Sequence, residues 1–340
     1  MKHVFRAKRL ELILASISLL IVLFLSLFPV EFRTTAPGYN KEVGLFITIE
    51  DPYEVEGSFH TTSVIVLNRT TILQRWVGDW ENTVDVREYP AYYENIDISD
   101  LRVTGALQKD DSLNNSLVVA IDRSAYDITF ETFIMVYLTY SNLDPDTLEI
   151  GDVILSINGN TDVMSAFADV ACDETASFRI ERDEIEQTFD VTRHTQTDGS
   201  CSFGLLIRSF TEIYDSEVEY TLHESVTTGS SGGLMQALYV FNQLTPNDLT
   251  GGLKIAGTGT IDAYGDVGPI GGIRQKIITS ALNGMDIFFV PHLSDSEYDN
   301  YIVAQAVLAE LDSNMILVPV TSIDDAIAYL ESRFGGAFDE

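Results

Sequence analysis

Ser231 stands in the run Gly229-Ser230-Ser231-Gly232-Gly233 at the head of a stretch with helical spacing. Lys276 closes Gly268-Pro269-Ile270-Gly271-Gly272-Ile273-Arg274-Gln275-Lys276 at the head of another. A serine hydroxyl becomes an effective nucleophile when a neighbouring base takes its proton. A lysine amine can be that base if burial or a cationic neighbour, here Arg274, draws its pKa from about 10.4 towards about 7 to 8. The pair therefore suggests hydrolysis without histidine or metal. Gly-x-Ser-x-Gly also fits the nucleophile elbow of an α/β-hydrolase esterase, which needs an acid and then a histidine downstream. Only His292 follows Ser231, and no His-Gly-Gly oxyanion loop precedes it. His223 is another candidate base, although a lone histidine at a strand end is more often packed or solvated.

The two stretches and the sequence between them resemble the proteolytic domain of the Lon family over roughly residues 220–330. The family's Gly-Pro-Ser-Ala-Gly turn falls on Gly229 to Gly233, its Thr-Gly segment on Thr258 and Gly259, its Pro-Ile-Gly-Gly on Pro269 to Gly272, and its lysine on Lys276. Two positions depart: Ser230 replaces the proline and Gly232 the alanine. The resemblance implies Ser231 as nucleophile, Lys276 as general base and Thr258 as the hydrogen-bonding support of the lysine. Gly229, Ser230, Gly232 and Gly233 would form the nucleophile turn and oxyanion region. It also implies polypeptide substrates and a homo-oligomeric ring such as a hexamer. The sequence contains no Gly-x-x-x-x-Gly-Lys-Ser/Thr, so no ATPase motor is expected, and the substrates would be unfolded, extended or tail-exposed chains. No cofactor is expected, and no His-Glu-x-x-His, cysteine cluster or calcium loop points to a metal. The competing class is a non-catalytic scaffold on the same fold, which would bind tails without cutting them.

Elements must bring these residues together. Leu234, Ala237, Leu238 and Phe241 recur at helical spacing, so Ser231 is expected at or just before a helix N-terminus, where outward N–H groups favour an oxyanion. A strand is expected over residues 254–261, a helix over 273–282 ending at Asn283-Gly284, and a strand over 286–290. Further strands are expected at 203–207 and 218–224. Ser322 should cap a last helix over 323–334. This alternation predicts an α/β or α+β domain over 202–335.

Upstream, residues 128–200 read as short strands and turns. The run 148–159, with Gly151-Asp152 before a strand and Asn158-Gly159 after it, resembles bacterial PDZ domains. A helix near 162–170 and strands at 177–180 and 188–191 would follow, with a carboxylate-binding loop near 133–139. PDZ domains add extended peptides as a strand, so this unit would select substrate, or serve only as a spacer. Residues 34–127 form a tether at 34–44, a strand at 57–67, a helix at 71–80 with Leu73, Trp76 and Val77 at helical spacing, an acidic irregular stretch at 81–111, and a helix at 116–126.

Residues 12–30 carry no charge, enough for a helix to cross a bilayer, and Lys2, Arg6, Lys8 and Arg9 precede them. Residues 1–33 are therefore read as a cytoplasmic basic end and a single transmembrane helix in the cell membrane, with the remainder extracytoplasmic. A cleaved signal peptide is the rival reading. The net charge is −32, which repels nucleic acid and argues for a strongly solvated surface. Cys172 and Cys201 would form a disulfide or remain two buried thiols; sequence leaves both open.

Overall fold

The computed structural model describes residues 2–89, 96–140, 144, 147–196, 198–224, 227–293 and 299–334. Its longer elements begin with helix α1 (Lys2–Leu27), strands β1 (Phe32–Glu42) and β2 (Ser58–Leu67), helix α2 (Ile72–Trp80), strand β3 (Asp85–Glu88) and helix α3 (Ile98–Arg123). Strands β4 (Ile128–Thr139) and β5 (Val153–Ile157), helix α4 (Val163–Asp169), and strands β6 (Thr175–Arg182), β7 (Ile185–Thr192) and β8 (Leu205–Ser216) follow. The rest alternates: helix α5 (Gly233–Leu244), strand β9 (Lys254–Gly257), helix α6 (Ile273–Leu282), strand β10 (Ile287–Pro291), helix α7 (Asn300–Ala309), strand β11 (Ile316–Val320) and helix α8 (Ile323–Phe334). The fold is mixed α/β with an N-terminal apolar helix, as the alternating pattern predicts.

Six strands form one sheet in the order β11-β10-β9-β2-β1-β3. The first four run parallel, and β1 lies antiparallel to β2 and β3. The reason is legible in β10, Ile-Phe-Phe-Val-Pro, which is buried at every position, as a strand covered on both faces must be. Alternate residues serve two cores. Ile287 and Phe289 join α3, α5 and α8 on one face, while Phe288 and Val290 meet α6 and α7 on the other. Each such side chain contributes roughly 1.5–3 kcal/mol on burial.

The second sheet is antiparallel, in the order β7-β6-β5-β4-β8. It leaves the first body after α3 and returns before α5, along the paired strands β4 and β8. Ile128 and Ile213 pack on the first core, whereas Val136 and Leu205 belong to a separate core with Ile154, Phe178 and Phe203. Cys172 and Cys201 are joined by a disulfide, which resolves the alternative left open by sequence. Closing a loop across 29 positions is worth about 3–4 kcal/mol on the chain-entropy account.

Several expectations are corrected. Of the tether expected at 34–44, residues 34–42 are part of β1, inside the sheet, and 43–44 open a 3-10 turn. Pro37 and Gly38 mark a register shift of β1 against β2, beyond the four residues that pair with β3. A Cβ on Gly38 would lie 2.4 Å from the Ser63 carbonyl oxygen. Residues 34–127 are thus no separate unit: β1, β2 and α3 share the sheet and core of the C-terminal part. The stretch 81–111, read as irregular, already contains β3 and the start of α3; its residues 90–95 lie outside the described residues, as does 335 at the expected domain end. The loop expected near 133–139 is the C-terminal half of β4, because Ile128 to Thr139 is a β-branched and aromatic run suited to strand pairing. The strand expected at 203–207 belongs to β8 and the antiparallel sheet.

Candidate active site

Three segments converge beyond the C-terminal end of β9, the edge at which open α/β sheets commonly bind ligands. Thr258 follows β9 directly and its N–H donates to the Phe289 carbonyl (3.0 Å), extending the pairing with β10. Gly259 N–H donates to the Ser231 carbonyl (2.9 Å), and Thr258 Oγ1 donates to the same oxygen (2.9 Å). The nucleophile turn is thereby tied to the strand end by two bonds to one atom. Lys276 occupies the first turn of α6, its N–H donating to the Gly272 carbonyl (3.1 Å). Gly272 caps α6 at φ +70°, and a Cβ there would lie 3.0 Å from Val64 Cγ1.

Lys276 Nζ lies 2.7 Å from Ser231 Oγ and 2.7 Å from Thr258 Oγ1. Thr258 has one hydroxyl proton, already given to the Ser231 carbonyl, so its oxygen accepts an amine N–H. That bond fixes the amine and leaves its lone pair available to the Ser231 hydroxyl. Lys276 is only 2% exposed, and desolvation draws its pKa from 10.5 down to about 7. Burial is the whole cause. Arg274 turns outward instead, to the Asn82 carbonyl and Glu310, as neighbours two apart on a helix do. Lys254 is exposed.

The turn itself precedes α5, whose N-cap is Gly232. Gly229 has φ +86°, and its N–H donates to the Gly105 carbonyl (2.9 Å). The Ser230 carbonyl accepts from Gly233 N–H (3.3 Å) and Ser112 Oγ (3.1 Å). Gly232, where the resembled motif has alanine, has Thr61 Cγ2 of β2 and Gln236 Nε2 at 3.0 and 3.2 Å from the place a Cβ would take, a tight fit. Nothing explains the serine at 230. Among the described residues no acceptor takes the N–H of Ser231 or Gly232. Half-buried Ser231 thus has two backbone donors beside it at a helix N-terminus, the arrangement that stabilises a developing oxyanion.

The seven residues that the Lon resemblance assigned to the site, Ser231, Lys276, Thr258, Gly229, Ser230, Gly232 and Gly233, lie in this one locus. The supports that sequence reading missed are on α3: Gly105 and Ser112, with Ser116 Oγ donating to the Gly233 carbonyl (3.0 Å). Their signal was a pair of small polar residues four apart, Ser112 and Ser116, amid the apolar Leu113, Leu117 and Val119. The other face of α3 grips the second sheet's stalk. Asp111 accepts the Thr211 N–H (3.0 Å), Asn114 donates to the Thr211 carbonyl (2.8 Å) and Thr104 to the Tyr137 carbonyl (2.6 Å). The histidines lie elsewhere. His223 bonds Thr48 Oγ1 (2.9 Å), and His292 pairs with Asp299 (3.0 Å).

Gly233 permits the close approach of the turn to α3 and the β9 end. A Cβ there would stand 2.8 Å from Ile261 Cγ2 and 2.9 Å from Ser112 Oγ. Gly233→Ala is expected to destabilise by about 1–3 kcal/mol through overpacking and to displace Ser231 from Lys276. Thermal unfolding of the full chain, with rate measurements on the surviving folded protein, checks both effects.

No family model matches the chain, and no curated protein matches it. Among solved structures, the PDZ domain of an SdrC-like protein from Listeria monocytogenes is similar to part of it, at 18% identity and a TM-score of 0.20, over 22% of this chain and 85% of that one. No functional statement follows from a likeness of that size.

Proposed function

We propose that this chain is an ATP-independent serine endopeptidase of Lon type, held in a membrane by α1 and acting through a Ser231–Lys276 dyad. The observation that carries the reading is the fully buried Lys276 amine, 2.7 Å from Ser231 Oγ, with a pKa near 7. In the reaction, Ser231 Oγ attacks the peptide carbonyl while its proton passes to Lys276 Nζ. The oxyanion is received by the N–H groups of Ser231 and Gly232. Lys276 returns the proton to the leaving amine, and water, deprotonated by the same amine, releases the acyl group.

The antiparallel unit of β4 to β8 is the proposed PDZ-like selector of substrate tails, and a ring of subunits would wall off the sites. The apolar part of α1, Lys8–Leu27, is 20 residues long with none of its window buried against protein, as an anchor requires. With the basic end inside, the sheet domains would be extracytoplasmic. The Cys172–Cys201 disulfide suits that oxidising side. The test is cleavage of casein by the full chain in detergent without ATP, wild type against Ser231→Ala. Loss of cleavage in a folded variant supports the reading; equal cleavage by both proteins, or none by the wild type, refutes it.

A further inference from the structure

The helix that follows α1 in space carries an apolar face left exposed among the described residues. In α2, Leu73, Trp76, Val77 and Trp80 recur at i, i+3, i+4 and i+7 and form one stripe. Such a stripe normally faces a core. Here Leu73 is half-buried, but Trp76 is 63%, Val77 59% and Trp80 85% exposed. The opposite side is the packed one: Gly78 is buried, and a Cβ on it would stand 2.6 Å from Val86 Cγ2 of β3.

α2 is also fastened to the end of α1. Ile72 N–H donates to the Phe28 carbonyl (3.1 Å), Pro29 and Val30 pair with Thr71 and Thr70, and the Thr70 hydroxyl donates to the Phe32 carbonyl (3.0 Å). A capping box of Thr71 and Gln74 fixes the first turn. The Arg75 guanidinium lies 3.6 Å from the Phe32 ring centroid, which pins the helix to β1. The exposed stripe therefore stands at a set height, level with the last turn of α1, where Phe24 and Phe28 stack. Residues 29–35 and 66–88 together carry a net charge of −1, against −32 for the whole chain. The negative charge that would repel anionic headgroups is thus kept away from this end.

We propose that the Leu73, Trp76, Val77 and Trp80 face of α2 is a lipid-contact surface, seated in the headgroup region of the bilayer that holds α1. Tryptophan favours that boundary because its ring is apolar and its N–H finds water or carbonyl partners. With α2 bound to both α1 and the edge of the main sheet, the contact would fix the tilt of the catalytic body over the membrane. The inference rests on α1 lying in a bilayer but not on the chemistry of the dyad.

Trp76 and Trp80 are the chain's two tryptophans, so all tryptophan emission reports on this face. The full chain is reconstituted into phosphatidylcholine and phosphatidylglycerol vesicles. Retention of the protein with floated vesicles after a carbonate wash reads the insertion of α1 separately. The expected result is blue-shifted emission that is mostly lost when lipids carry bromines at the headgroup end of the acyl chains, and little affected by bromines at the chain ends. Trp76→Phe and Trp80→Phe assign the quenching to each ring. Floated protein with unquenched, red emission overturns the inference and leaves the anchor standing. Blue-shifted emission untouched by bromines overturns it in favour of a protein partner, such as a second copy. Protein that does not float overturns the anchor and this surface together.

Discussion

Lys276→Met is expected to lower kcat/KM for an unfolded polypeptide by a factor on the order of 10⁴, the upper range for removal of a positioned general base. Methionine has nearly the length and volume of the lysine it replaces, so the helix α6 packing is kept while the amine bonded to Ser231 Oγ is lost. The residual rate should come from the backbone donors at the head of α5 and from substrate binding. The wild-type pH profile provides the matching signature. Lys276 accepts a proton only when neutral, and its pKa in the fold is about 7. The rate should therefore rise about tenfold per pH unit on the acid side and level off above that value. A profile with no ascending limb near pH 7, or a Lys276→Met variant that keeps its rate, would remove the lysine from the mechanism.

The second large effect runs the other way. Lys276→Met should make the folded chain more stable at neutral pH by a few kcal/mol, because a buried amine near pKa 7 costs the fold against an unfolded value of 10.5. Between those two values the unfolded chain binds a proton that the folded chain does not. Stability consequently rises with pH across that window, and the penalty is present in full below about 7. The variant lacks the group, so its unfolding midpoint should lie above the wild type's at pH 6 to 7, with the gap narrowing as pH approaches 10. Thermal unfolding of both full-length proteins across that range decides it. A midpoint below the wild type's throughout would mean that the amine's bonds to Ser231 and Thr258 outweigh its desolvation. The proposed base would thus be held at the expense of stability, a trade common at catalytic sites.

Legibility differed between the site and the body around it. Local chemistry announced Ser231 and Lys276, with glycines where a turn must be tight, a helical run behind each, and residue types with matching roles; Thr258 was named by the Lon resemblance. The helix caps were equally local. Ser322 Oγ accepts the Asp325 N–H (3.2 Å), as the sequence suggests. Pro37 and Gly38 misled, because the same residues that punctuate linkers also mark a bulge in a strand. Trp76 and Val77 were legible as a helical stripe, but periodicity shows only that a face is apolar, not what covers it.

The sequence by itself determined the mixed α/β character, the apolar N-terminal helix, the sheet-forming runs and the turns that carry Ser231 and Lys276. These follow from interactions within a few residues, namely backbone conformation, side-chain periodicity and capping. Only the tertiary structure decided that β1 and β2 join β9 and β10 in one sheet, that α3 holds the nucleophile turn through Gly105 and Ser112, and that Cys172 meets Cys201. It alone decided that Lys276 is stripped of water and Arg274 is not. Burial and pairing between distant segments depend on which surfaces meet once the chain collapses, and the lowered lysine pKa is a property of that meeting rather than of any stretch of residues.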